Sequence, residues 1–158
     1  MPLINNVTRM LDARNVPYVA HVLPPEKLGA LEAAEIMGVP AAQVFKTIVV
    51  VRERPGKPLL ALVPGPASVD LKRLAALVGA KKVYLPTERE AEQLTGLKAG
   101  GISPLALINR GFVVVIEEAA RAFERIYISG GQRGLNIELP VDSLASLTNA
   151  QWGKFAGQ

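Results

Sequence analysis

Two apolar runs, "VFKTIVVV" at 44–51 and "LLALVP" at 59–64, are separated only by "RERPGKP" at 52–58. Runs this short and rich in β-branched residues read as buried strands, and the proline and glycine between them mark a turn. The stretch therefore predicts an antiparallel hairpin at the centre of a core. Lys46 and Thr47 disturb that pattern near the start of the first strand. A buried lysine is costly unless its charge meets a partner, opens onto a polar cleft, or snorkels to the surface while its stem packs.

The hairpin sits in a chain of 158 residues whose 49% hydrophobic content is enough to bury one core, so a single globular domain over 1–158 is expected. Before the hairpin, Ile4, Val7, Met10 and Leu11 fall at helical spacing, "VPYVAHVL" at 16–23 reads as a strand, and "ALEAAEIMG" at 30–38 as a helix closed by Gly38. After it, Asp70 is placed to cap a short helix ending at Gly79, "KKVYL" at 81–85 reads as strand, and Thr87 caps another helix. Strands follow at 111–118, 125–131 and 134–140, the last with Leu135, Ile137 and Leu139 alternating with Asn136 and Glu138, which places Asn136 on the solvated side. A helix capped near Asp142 closes the domain. Strands outnumber helices and interleave with them irregularly. The fold class expected is α/β of an α+β-like kind, a mixed sheet with helices around it.

Several chemistries drop out on composition. The chain has no cysteine and one histidine, which removes a disulfide framework, a Cys-His pair and a zinc site of ordinary ligand type. A serine triad would have to use His21, which has no distinctive serine motif near it and reads as a partly buried or surface imidazole. "AGGIS" and "GGQRG" match neither a P-loop nor a dinucleotide fingerprint. No cofactor and no metal are expected. There is no run long enough to cross a bilayer and no secretory layout at the start, so the expected location is the cytoplasm.

The balance of 18 Lys+Arg against 14 Asp+Glu gives a net charge of +4, an excess that suits a polyanionic partner. Basic residues recur in small groups, Lys72-Arg73, Lys81-Lys82, and Arg121, Arg125 and Arg133. The other oddly placed polar groups are Lys46 and Thr47, the "GGISP" turn at 100–104, Ser129 ending an apolar strand, and Asn136. Each has an ordinary structural reading as turn, cap or solvated side chain.

Taken together, "VFKTIVV", "DLKRLAALVGAKKV", "TGLKAGGISPLAL" and "IYISGGQRGLNIEL" resemble the YbaK family of aminoacyl-tRNA editing domains, relatives of the insertion domain of bacterial prolyl-tRNA synthetases. The likeness runs in order from about Asn15 to Leu147. It implies a mixed, partly closed sheet surrounded by helices, and a free-standing deacylase that removes a wrong amino acid from tRNA. By this resemblance Lys46, Gly100 and Gly101 are catalytic, and Thr47, Ile102, Ser103, Pro104, Ser129 and Asn136 bind substrate. Lys72, Lys81, Lys82 and Arg133 are candidate tRNA contacts. Asn136 replaces the aspartate typical of the cysteinyl-specific branch, and Leu23 and Leu28-Gly29 fall where that branch has aromatic residues.

The resemblance further implies aminoacylated tRNA as substrate, with Cys-tRNA(Pro) first and alanine or another small amino acid second, and prolyl-tRNA synthetase as a partner. Neither a membrane nor DNA is expected. An aminoacyl ester is already activated, so its cleavage needs a held carbonyl and a stabilised oxyanion more than a protein nucleophile. Glycine lets backbone N–H groups approach for that purpose, and Lys46 adds a positive charge. A cysteinyl substrate can attack its own ester through its thiol, whereas alanine requires a water. A non-catalytic relative that binds RNA or a ligand is the other reading.

Overall fold

The computed structural model describes residues 4–53 and 55–157; Arg54, within the expected 52–58 turn, and residues 1–3 and 158 lie outside the described residues. The hairpin forms as β2 (Phe45–Arg52) and β3 (Leu59–Pro64), paired antiparallel with Lys46 opposite Val63 and Thr47 opposite Leu62. They lie inside a five-stranded mixed sheet of order β5-β2-β3-β6-β9, where β5 is Val83–Tyr84, β6 Val113–Glu117 and β9 Gln151–Gly153. Strand β6 runs parallel to β3, and β9 parallel to β6.

The continuous apolar run of β3 is explained by cover on both faces. Leu60 and Leu62 join Phe45, Val49, Val114 and Ile116 in one core cluster, whereas Leu59, Ala61 and Val63 join Val50, Val115, Leu74 and Phe155 in another. Helix α3 (Leu71–Leu77) covers the second face, its first turn capped by the Asp70 carboxylate accepting from the Arg73 N–H. A second sheet covers the first face: β1 (Val19–Val22), β8 (Leu135–Pro140) and β7 (Arg125–Ser129), antiparallel in the order β1-β8-β7. Ile126, Ile128, Ile137 and Leu139 project from it into the shared core. The two sheets touch through a bridge between Val44 and Tyr127, then diverge, leaving a partly closed barrel.

Helix α1 (Asn6–Ala13) is closed by a reciprocal capping box between Asn5 and Thr8, and the Asn5 amide also donates to the Gly130 carbonyl at 2.9 Å. Helix α2 (Ala30–Met37) ends at Gly38 in the left-handed conformation, and α4 (Glu88–Thr95) starts at the Thr87 cap. The remaining elements are a two-stranded pair of β4 (Ser68–Val69) with β10 (Ala156–Gly157) and α5 (Val141–Thr148).

Three expectations change. Helix α5 is not capped by Asp142: Pro140 occupies the cap position without a side-chain bond, and Asp142 lies in the first turn, where its charge still suits the helix dipole. The chain also does not close at that helix, because β9 and β10 follow. They are held by the buried Glu117 carboxylate, which accepts the Phe155 and Ala156 N–H groups at 2.7 Å each. Asn136, expected on a solvated side, is only 5% exposed. Alternation does put Asn136 on the face of β8 turned away from the core, but that face borders a cleft shared with Leu28, Gly29, Ala30 and Ala33 rather than open solvent.

Candidate active site

Where β2 peels away from β7, a cleft of about 390 Å³ opens between the two sheets. Strand parity determines what faces it. The Gly65 N–H donates to the Val44 carbonyl at 2.8 Å, so the even-numbered residues of β2 exchange hydrogen bonds with β3. Pro64, which has no N–H, correspondingly stands opposite Phe45 at a non-bonded position. The backbone N–H and C=O of Thr47 therefore point away from β3, toward the unpaired side of β2. Strand β5 pairs that side only at Val51 and Arg52, leaving the edge at Thr47 open on the cleft.

Four separated segments bring the polar residues singled out in the sequence to the lining, and Glu26 and Glu88 add carboxylates at its rim. Lys46 and Thr47 come from β2, Gly100 from the glycine loop, Ser129 from the end of β7 and Asn136 from β8. Ser129 and Asn136 are directly opposed cross-strand neighbours, so their side chains share one face. Thr47 shares its face of β2 with Phe45 and Val49, the face turned toward the second sheet. Thr47 Oγ1 and Asn136 Oδ1 are both buried without a hydrogen-bond partner among the described residues. Two orphaned acceptors in one cleft mark a place where a ligand's donors would be received, because buried polar atoms are otherwise paired. Lys46 is half-buried in the lining, with no carboxylate within ion-pair distance among the described residues.

The glycine loop divides in two. Gly100, at φ +89°, lies in the lining, and its N–H has no acceptor among the described residues. Gly101 lies behind it: its N–H donates to the Lys98 carbonyl at 2.8 Å, and a Cβ there would come within 2.8 Å of Gln132 Cα. The Arg133 guanidinium donates through Nε to the Ala99 carbonyl at 2.7 Å, stapling the loop to the β7–β8 turn. Ile102 lines the cleft. Ser103 and Pro104 do not; both are buried, and Ser103 Oγ accepts from the Leu105 N–H at 3.2 Å to start a 3-10 turn. Lys72, Lys81 and Lys82 are exposed and lie outside the lining.

Leu23, Leu28 and Gly29 are also in the lining, giving an aliphatic wall where the related branch carries aromatic residues. The wall formed by Leu85, Pro86, Glu88 and Ala91 was not foreseen, since nothing in the sequence of β5 and α4 says that they close this cleft. An ion pair of 2.5 Å between Lys27 and Glu88 ties the two sides together at the surface. Beyond Asn136, its other cross-strand neighbour His21 holds Glu138 through Nε2 at 2.9 Å and tilts against Tyr127, whose hydroxyl burial pushes above the usual tyrosine range, with Glu138 adding to the effect.

Comparison with known proteins gives a consistent picture. The sequence profile of the aminoacyl-tRNA editing domain matches residues 25–147. An Enterococcus faecalis protein, EbsC, provisionally named a Cys-tRNA(Pro)/Cys-tRNA(Cys) deacylase, is 35% identical over 94% of this chain and 91% of its own length. A proline–tRNA ligase of Geobacter metallireducens is 25% identical over 72% of this chain, which spans only 19% of that enzyme. A crystal structure described provisionally as a trans-editing enzyme for prolyl-tRNA synthetase superposes with a TM-score of 0.80 at 26% identity, covering 99% of this chain and all of the other.

Proposed function

The chain belongs to the aminoacyl-tRNA editing domain family, and from that premise we propose that it is a trans-editing deacylase that cleaves the ester of mischarged tRNA(Pro), with cysteine the first acyl group to consider. The observation that carries this reading is the convergence of Lys46, Thr47, Gly100, Ser129 and Asn136 on one cleft, with the acceptors of Thr47 and Asn136 unmet. A substrate α-ammonium brings three donors to such acceptors. The ester carbonyl then lies toward Gly100, whose N–H stabilises the oxyanion formed when a nucleophile adds. Lys46 contributes positive charge beside the ester or the neighbouring phosphate, where partial exclusion of water strengthens it.

With water as nucleophile, its oxygen bonds to the carbonyl carbon, the bond to the ribose oxygen breaks, and that oxygen leaves with a proton. With a cysteinyl substrate the side-chain thiol takes the place of water and the amino acid leaves as a cyclic thioester. Both routes use the same oxyanion donor. Ile102 and the aliphatic wall select the acyl group by size, and discrimination by one methylene is worth only about 1–3 kcal/mol. Selection of the tRNA accordingly falls to prolyl-tRNA synthetase as partner and to phosphate contacts at Lys72, Lys81, Lys82 and Arg133. The work is that of one domain, acting in the cytoplasm where aminoacylation occurs; among the described residues no helix is long and apolar enough to cross a membrane.

Asn136 favours a second reading, a relative that binds without turnover, since an amide cannot offset the ammonium charge as a carboxylate does. Release of labelled cysteine and alanine from charged tRNA(Pro), with wild type and Lys46→Ala side by side, separates the two. Lysine-dependent release of one label is expected and names the substrate. Retained RNA binding with release of neither would establish the binding reading.

A further inference from the structure

Strand β5 is the outer strand of the five-stranded sheet, and it leads directly into the cleft wall at Leu85 and Pro86. Tyr84 stands opposite Val51 on β2, and directly opposed residues share a face. Val51 in turn shares its face with Thr47, four residues away along the strand. The Tyr84 ring is thus on the cleft side of the sheet, about 13 Å from Thr47 at the usual strand rise. It is 45% exposed, and Leu85 beside it is 54% exposed. Lys81 and Lys82 precede it and are exposed; Arg52, opposite Val83, is half-exposed at the same end. Glu53 brings a carboxylate to that end, where its N–H donates to the Lys82 carbonyl at 3.1 Å, and Glu88, in the cleft wall beyond Pro86, has its charge met by Lys27.

An exposed aromatic ring flanked by cations and continuous with a cleft is the arrangement by which proteins hold single-stranded nucleic acid, bases stacking on rings while phosphates meet lysines. We infer that the segment from Lys81 to Pro86 is the docking track for the unpaired 3′-terminal nucleotides of the substrate tRNA, with Tyr84 the platform for a terminal base. This rests on the deacylase reading for the position of the ester, and adds the path by which the nucleic acid reaches it. The cations favour RNA over a protein partner here, because the track offers one ring and one leucine among positive charges rather than a broad apolar patch. Lysines at a sheet edge also discourage pairing with another chain, and the experiment separates that role from RNA docking.

The test compares Tyr84→Ala and Tyr84→Phe with wild type on three probes: charged tRNA(Pro), the methyl ester of the same amino acid, and an uncharged RNA hairpin with an unpaired CCA 3′ end. Tyr84→Ala is expected to raise KM for charged tRNA about tenfold and to weaken hairpin binding by a similar factor, with Tyr84→Phe close to wild type. Turnover of the methyl ester, which has no base to stack, stays unchanged. Equal hairpin binding by wild type and Tyr84→Ala, no binding by either, or equal loss on the methyl ester would overturn the inference. Absence of turnover on both esters would instead overturn the deacylase reading, while the hairpin measurement still decides the role of Tyr84.

Discussion

Replacing Thr47 by valine keeps the shape of the side chain and removes only the hydroxyl oxygen, which is buried without a partner among the described residues. An unsatisfied buried polar group costs about 1–3 kcal/mol, and replacing it by an apolar group of the same shape relieves that cost. Thr47 as a whole is half-buried, so the lower end applies, about 1 kcal/mol. In a chain of this length that raises the Tm by about 2–4 °C. The same oxygen is read here as an acceptor for the substrate's ammonium, and hydrogen bonds to charged groups are worth about 1.5–3 kcal/mol. Deacylation should therefore lose about 10- to 100-fold in kcat/KM.

The expected outcome is a protein that melts later and works worse, measured by thermal denaturation and by release of labelled amino acid from charged tRNA(Pro). Few structural roles produce that pair of signs. Ser103→Ala supplies the contrast: its hydroxyl already accepts the Leu105 N–H, so it should melt earlier by the equivalent of about 1 kcal/mol. A lower Tm for Thr47→Val would mean that the hydroxyl has a folding partner, and unchanged deacylation would mean that it has no ligand. Either result refutes the reasoning.

Gly101→Ala places a methyl group 2.8 Å from Gln132 Cα, backbone that cannot swing aside, and is expected to cost about 1–3 kcal/mol and to lower kcat by displacing Gly100, as read by denaturant titration and deacylation kinetics. Burial holds the Tyr127 hydroxyl neutral beyond its ordinary range. Its folded pKa is raised, so the stability it contributes is complete below about pH 10 and is lost as pH rises through the folded value. Tyr127→Phe should accordingly flatten the alkaline limb of a Tm-against-pH curve, and an unchanged limb would remove Tyr127 from that behaviour.

Most elements of the fold were legible because each carries a local signal: the hairpin by its apolar runs, α3 by Asp70, α2 by Gly38 and α4 by Thr87. Those signals are physical consequences of orphan backbone groups and of left-handed turns, which need no tertiary context. The very short strands β4, β9 and β10 were not legible, because segments of two or three residues have no periodicity and depend on a distant partner such as Glu117. The site was legible as a list of residues through the family motifs, but not as a geometry. Lys46, Gly100 and Asn136 are brought together by the pairing of β7 with β8 and the bridge from Val44 to Tyr127. Alternation told correctly which face Asn136 occupies and was silent on what covers that face.

The half-paired state of β2 follows from the same divergence of sheets, and it adds the backbone to the site. A strand edge enclosed by protein must place its N–H and C=O groups on water or a ligand. The Thr47 N–H, directed away from β3 and beyond the two residues that β5 pairs, is such a group, and it lies next to an orphaned hydroxyl on the same residue. If the cleft holds the aminoacyl group, this amide should pass from fast exchange with solvent to protection when the cleft fills, while Ile48, bonded to β3, stays protected throughout. Hydrogen exchange with and without an amide-linked cysteinyl-adenosine tests that directly. Protection confined to Thr47 and its cleft neighbours would place the ligand against the open edge. Protection at β5 with none at Thr47 would mean that the nucleotide binds without its acyl group entering the cleft, and the assignment of Thr47 and Asn136 would fail.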